Sequence, residues 1–219
     1  MLSLESQLKP FSHVIWDMNG TLVDDAHICV EAVNPLLTEY GLPLIDVDIY
    51  RRFFRFPVWD YYCDLGFRIS PEEFDQLSHR FHDRYHALLP TATLFDGTAE
   101  LLALLKQQNK KLSILTAART DDLHAVIKHF GISTHFDHLF GLSHRAADSK
   151  VARGRELMAE SQVPTHETVM IGDTLHDLEV GEALGIEVIL LTGGHMSEER
   201  LSRHPFDPAK KTRVHRRSF

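Results

Sequence analysis

Cysteine is nearly absent: Cys29 and Cys63 are the only two in 219 residues, too few for a disulfide framework and spaced for no zinc motif. Both read as small buried apolar side chains of a reducing compartment. No apolar run approaches the ~20 residues needed to span a bilayer. The first ten residues, MLSLESQLKP, are broken by Glu5, Lys9 and Pro10, so no secretory leader is expected there. A basic surplus is missing as well. With 31 acidic against 23 basic side chains and a formal charge of −8, general attraction to nucleic acid or an anionic membrane is not expected, although fifteen histidines soften that figure. The expectation is a soluble, cytoplasmic protein, monomer or homodimer, whose partner is a small molecule.

What is present is an ordinary globular balance, 43% hydrophobic and 25% charged, at a length of one large domain or slightly more. Residues 11–16 (FSHVIW) form a short apolar run that stops at DMNG, the pattern of a buried strand entering a tight loop. KLSILTA (111–117), ETVMIGD (167–173) and IEVILLTGG (186–194) repeat it. Helical patterns lie between them at 97–108, 120–130 and 174–184. The second opens on Thr120 as N-cap, and the last two stop before Gly131 and Gly185. Continuous apolar strands alternating with helices predict an open, doubly wound α/β fold with a parallel sheet covered on both faces.

Residues 24–90 interrupt that alternation. They are helical in pattern, rich in aromatic and charged residues (RRFFRFPVWDYY), and hold no good buried strand. Pro35 falls inside the first of these helices and predicts a kink or restart. The division expected is therefore a core domain from 11–23 and 91–205, a helical cap from 24–90, and a basic, flexible tail over 206–219.

In an open parallel sheet, ligands bind beyond the carboxyl ends of the strands. The strand exits here carry Asp17, Thr116, and Asp173 with Asp177, while Lys150 precedes a further helix. Three carboxylates converging on one edge repel unless a cation sits among them. An all-oxygen donor set favours a hard ion such as Mg²⁺. With a hydroxyl, a lysine and glycine-freed backbone N–H groups added, the set suits a phosphoryl group.

WDMNGTLVD (16–24), ILTAAR (114–119), SK (149–150) and IGDTLHD (171–177) resemble, in order and spacing, the four motifs of the haloacid dehalogenase (HAD) superfamily. The helical insertion after the first motif is similar to the phosphoglycolate-phosphatase-like branch, and the first motif is a DxNGT variant. The resemblance implies a Rossmann-like core with an inserted α-helical cap, and a Mg²⁺-dependent phosphatase acting on a small phosphorylated metabolite. It implies Asp17 as the nucleophile that becomes an aspartyl-phosphate. Thr116 would hold phosphoryl oxygens, with Gly20, Thr21 and Ala117 around the phosphate, and Lys150 would neutralise charge. Asp17, the Asn19 carbonyl, Asp173 and Asp177 would attend the metal.

Asn19 departs from the pattern, because relatives with phosphatase activity carry an Asp there as acid and base. An amide can be neither, and losing such a group costs roughly 10²–10⁴-fold in rate. The cost is smallest for leaving groups that need no proton, such as acyl, pyrophosphoryl or aryl phosphates. The alternatives are a slow or selective phosphatase, with His176 or His195 as substitutes, or a phosphate-binding pseudo-phosphatase acting as sensor or scaffold. Deamidation of Asn19-Gly20 would be a third route. The more ordinary roles for the two histidines are a polar residue at a helix start and an exposed loop residue. In the cap, Arg52 or Arg55 could grip an anionic substrate, or Arg51, Arg52 and Arg55 could form a solvated face. His79, His82 and His86 read as a solvated helix face rather than a zinc site.

Overall fold

The computed structural model describes residues 3–142, 149–207 and 211–217. The helices are α1 (Leu4–Leu8), α2 (Ala26–Glu39), α3 (Val47–Phe53), α4 (Val58–Asp64), α5 (Pro71–Leu88), α6 (Thr98–Gln107), α7 (Thr120–His129), α8 (Lys150–Ser161), α9 (Leu175–Leu184) and α10 (Glu198–Arg203). The strands are β1 (His13–Trp16), β2 (Val23–Asp24), β3 (Thr93–Leu94), β4 (Lys111–Arg119), β5 (His138–Leu142), β6 (Thr168–Gly172), β7 (Glu187–Leu191) and β8 (Thr212–His215).

Six strands form one sheet in the order β5-β4-β1-β6-β7-β8, and every pairing in it is parallel. The side-chain period of two divides the strands between two apolar layers. Val14, Trp16, Leu112, Ile114, Val169, Ile171, Ile189 and Leu191 join one cluster with Leu102, Leu105, Leu123 and Ile127. Ile15, Leu115, Met170, Val188 and Leu190 join the other with Leu157, Leu178 and Leu201. That is why the runs read as continuously apolar: helices cover both faces.

The insertion leaves and returns through one point. β2 and β3 pair antiparallel, Val23 opposite Leu94, and α2–α5 lie between them with an apolar cluster of their own that includes Val33, Leu36, Tyr50, Tyr61, Tyr62, Phe67 and Leu77. The N-terminus of α5 is fixed by a capping box between Ser70 and Glu73 with Pro71 in its first turn. α2 runs as one helix through Pro35, so the expected restart does not occur. Asn34, beside it, ties the helix to the following loop by donating to Ile45 O and accepting from Ile45 N, both at 3.0 Å.

Two strands escape the sequence pattern. β5 is an edge strand of five residues with Gly141 inside it, too short to show a period. β8 lies in the segment expected to be a flexible tail: residues 212–215 pair with β7, and Val214 and Phe206 pack on the second apolar cluster. The basic side chains there hide its strand character, yet Lys211 and Arg213 both pair with Glu187. Lys210, of the same basic cluster, lies outside the described residues. Among the described residues no helix is long and apolar enough to cross a membrane.

His13 sits within the sheet at 0% exposure, its Nε2 2.8 Å from Ser113 Oγ. Burial, helped by His138 and Lys111, pushes its imidazole down to about 4. The folded chain thus keeps His13 neutral where the unfolded chain, at about 6.5, takes up a proton. Below pH 6.5 the unfolded state binds more protons, and stability falls as pH drops toward 4. The expected loss from this group between pH 6.5 and 4.5 is about 2–3 kcal/mol. Urea midpoints for the wild type and His13→Asn across that range check it: the pH slope flattens in the variant, and an unchanged slope contradicts the assignment.

Candidate active site

β1, β4 and β6 are neighbours in the sheet, so their carboxyl ends lie side by side. Asp17 follows β1, with its backbone N–H donating to Ile171 O at 2.8 Å. Thr116 lies toward the end of β4, and Asp173 follows β6. Lys150 opens α8 and Asp177 sits in the first turn of α9. Lys150, 4% exposed, joins them: its Nζ donates to Asp177 Oδ1 at 2.6 Å and also to Asp17 Oδ1. The other Asp177 oxygen accepts from Thr174 Oγ1 at 2.8 Å and from the Thr174 and Asp173 N–H groups.

Asp173 is fixed through both oxygens, by Thr21 Oγ1 at 2.8 Å and the His195 N–H at 2.6 Å. The loop that brings Thr21 there turns at Gly20, where φ is +73° and a Cβ would strike His195 and the Asp173 carboxylate. Gly194 is under the same constraint from Asp173 and Gly20 O. Thr116 and the half-buried Ala117 line the same cavity as the carboxylates.

Burial pushes the Asp17 carboxyl up to about 8; Lys150 opposes the shift, while Asp177 and Asp173 add to it. Asp173 is also raised, by burial first. Burial acts on Asp177 too, but Lys150 and the Thr174 hydrogen bonds outweigh it and hold that carboxyl below its usual range. Oxygens of Asp17, Asp173 and Asp177 come within 4.8 Å of one another. Three carboxyl groups gathered around one ammonium make an all-oxygen donor set that fits a hard divalent cation.

Asn19 is held outside this triad. Its Nδ2 donates to Asp25 Oδ2 at 2.8 Å and to the Tyr85 hydroxyl at 2.7 Å, and that hydroxyl donates to Asp25 Oδ2 at 2.6 Å. Because a carboxylate only accepts, Nδ2 must face Asp25, and Oδ1 is left as an acceptor. Asp25 Oδ1 also accepts from the Gly20 N–H at 2.9 Å and lies 3.1 Å from His195 Nε2. The N–H that would attack Asn19 in a deamidation is thus engaged, with Val23 O as a second acceptor.

His195, expected on an exposed loop, is 5% exposed because the glycine loop folds inward under the cap. Burial alone would lower its imidazole; Asp25 reverses this and lifts it to about 9. The reverse holds for Asp25, which His195 keeps below the carboxylate range despite its burial. His195 Nδ1 lies 2.8 Å from the Tyr50 hydroxyl. Cys29 completes a cluster with Asp25 and His195, but burial holds its thiol well above the ordinary value.

The cap closes over this edge. Arg51 donates to Gly194 O at 2.7 Å and Gly193 O at 2.6 Å, and Arg200 from α10 reaches back to Arg51 O and Phe54 O. A cavity of about 280 Å³ remains between cap and core. Arg52 and Arg55 are not among its lining residues. Arg52 is exposed, and Arg55 is tied to Asp64 at 2.8 Å and Asp60 at 3.0 Å. His79, His82 and His86 are exposed on α5, with His82 and His86 at the cavity's rim. His176 stacks on Phe56 at 4.6 Å between ring centroids.

Residues 14–191 match the family model of the haloacid dehalogenase-like hydrolases. The chain belongs to that family. The tyrosine-protein kinase PtkA of Mycobacterium tuberculosis is 29% identical over 185 residues, covering 83% of this chain and 62% of that protein. The chain thus spans less than two thirds of that relative's length. The phosphoglycolate phosphatase of Caulobacter vibrioides is 28% identical, covering 84% of this chain and 81% of that one. Among solved structures, a haloacid dehalogenase-like hydrolase from Streptococcus pneumoniae superposes with a TM-score of 0.79 at 22% identity, covering 94% of this chain and 95% of that one.

Several residues around the site of this haloacid dehalogenase-like hydrolase carried little sequence signal. Tyr50 and Tyr85 are scattered through the cap, and Arg51, read as part of a solvated basic face, is instead bound to the glycine loop. Asp25, directly after the first motif, was visible as the second Asp of VDD but indistinguishable from a helix cap. Arg217 comes from beyond β8: it donates to Gly20 O at 3.0 Å and lies 3.4 Å over the Phe95 ring.

Replacing Asn19 by the carboxylate typical of the family sets two carboxylates against each other at this spot. Asn19→Asp is expected to destabilise the fold at pH 7 by about 1–3 kcal/mol, with the loss recovered in the Asn19→Asp/Asp25→Asn double variant. Urea unfolding of the four proteins measures the coupling; a single variant as stable as wild type contradicts the network.

Proposed function

We propose that this chain is a Mg²⁺-dependent phosphatase of a small phosphorylated compound, using Asp17 as nucleophile. The observation that carries this reading is the buried ion triad in which Lys150 holds Asp17 and Asp177 at the edge shared with Asp173 and Thr116. Phosphatases among the relatives agree with it. Asp17, Asp173, the Asn19 carbonyl and Asp177, directly or through water, would hold the metal. When bound, Mg²⁺ supplies charge neutralisation that lets an anionic carboxylate approach an anionic phosphate.

The chain's own groups do the rest. Asp17 attacks phosphorus, the bond to the leaving oxygen breaks with its electron pair, and an aspartyl-phosphate forms. Lys150 offsets charge on the nucleophile and the phosphoryl oxygens, and Thr116 with the Thr21–Gly20 turn and Ala117 orients them. Water then attacks phosphorus, releasing inorganic phosphate and restoring Asp17. Asn19 contributes through Oδ1, which can accept from that water and orient it, but no proton leaves through it. The cap, residues 24–90, acts as the lid that selects the substrate.

Asn19 also supports a second reading, a phosphate-binding protein without useful turnover, because its amide is committed to Asp25 and Tyr85. Phosphate release from acetyl phosphate, whose leaving group needs no proton, separates the two. Release that requires Mg²⁺ and falls at least ~10³-fold in Asp17→Asn is the expected outcome. No release, with inorganic phosphate still raising the Tm, favours the binding protein.

A further inference from the structure

Resting on that phosphate site, we propose that the substrate is an aryl phosphate, its ring held against the aromatic face of the cap. The cavity reaches from Asp17 and Lys150 to Tyr50, Phe54, Phe56, Tyr61 and Phe81. Tyr50, Phe54, Phe56 and Tyr61 form a connected wall. Phe54 lies 5.4 Å from Tyr61 and 5.5 Å from Phe56, and 5.4 Å from His195 on the core side. Tilted and edge-on contacts of this kind are the geometry in which a further ring is favourably accommodated.

No cap arginine or lysine is among the lining residues to meet a second anionic group: Arg51 is spent on Gly193 and Gly194, and Arg55 on Asp60 and Asp64. The cap histidines at the rim are engaged as well, His82 with Ser78 O and His86 with Asp122. Arg119 enters the lining from the core side, at the end of β4. On the cap side, a carboxylated or doubly phosphorylated aliphatic substrate would bury charge against an apolar wall, because the arginine of the lining lies at the end of β4. One polar group in the wall stands ready: the Tyr61 hydroxyl is buried and has no partner among the described residues, so it can serve a polar substituent on the ring.

Leaving-group chemistry points the same way. An aryl oxide, with a conjugate acid near the ~10 of a tyrosine side chain, departs without the proton that Asn19 cannot give. An alkoxide, near the ~15.7 of water, does not. In the transfer step the P–O(aryl) bond breaks with its electron pair on the aryl oxide, which takes a proton from solvent; water later supplies the oxygen that leaves as inorganic phosphate.

The test uses binding, so it does not depend on turnover. In the presence of Mg²⁺, calorimetry with phenylphosphonate and methylphosphonate is expected to give about tenfold or more tighter binding of the phenyl compound. That ratio falls toward one in Phe54→Leu and in Phe56→Ala, the second on a residue 37% exposed, with the Tm of each variant measured alongside. Equal affinities in the wild type overturn the proposal, as does a phenyl preference that survives both variants. Phenyl phosphate should also turn over at least ~10²-fold faster than benzyl phosphate, which keeps the ring but leaves as an alkoxide; equal rates overturn the leaving-group argument. The acetyl phosphate experiment, on a substrate without a ring, reports separately on the phosphatase reading.

Discussion

A buried ammonium shared between two buried carboxylates is the constraint on which this site depends. Lys150, Asp17 and Asp177 come from α8, the loop after β1 and α9, and none would be stable there alone, since an isolated charge in such a place is far costlier than a paired one. Their pairing fixes the first turns of α8 and α9 against the exit of β1. It also gathers three carboxyl groups around one ammonium, an all-oxygen donor set that fits a hard divalent cation. The hydrogen bonds around Asp173 and Asp177 hold the remaining oxygens in place.

Beside this triad runs a second buried network that the family pattern does not announce. Asp25 collects hydrogen bonds from Asn19, Gly20 and Tyr85 and faces His195. Tyr50, at the far end of that imidazole, belongs to the cap, so the loop after β1, the glycine loop and the cap are tied through one carboxylate. Asn19 fits here as an aspartate would not. Its amide supplies the donor that Asp25 needs, and the replacement thus reads as part of an electrostatic rearrangement rather than an isolated loss. The aromatic wall above carries no cap arginine or lysine among the described lining residues.

Much of the fold was legible in the residues. Four apolar runs ending in Asp, Thr or Gly became β1, β4, β6 and β7, since burial on both faces demands unbroken apolar sequence. The helices around them followed from caps at Gly131 and Gly185. β5 and β8 were not legible, for opposite reasons. β5 is too short to carry a pattern, and the basic residues of β8 disguise a strand whose stability comes from pairing with β7 and from Glu187. Pro35 misled because a proline's missing N–H removes one hydrogen bond, while packing on the cap core keeps α2 continuous.

The sequence by itself determined which side chains lie near one sheet edge, because a parallel sheet converts linear order into neighbouring loops: Asp17, Thr116 and Asp173 fall at strand ends, and Lys150 and Asp177 in the first turns of the helices beside them. What only the tertiary structure decided is everything set by distant chain segments meeting. His195 was expected in solvent and lies buried beside Asp25; Arg55 was a candidate anion ligand and is consumed by Asp60 and Asp64; Arg217, from a tail expected to be flexible, supports Gly20. Charge and burial at such places are fixed by which partner a side chain finds, and no local pattern records the partner.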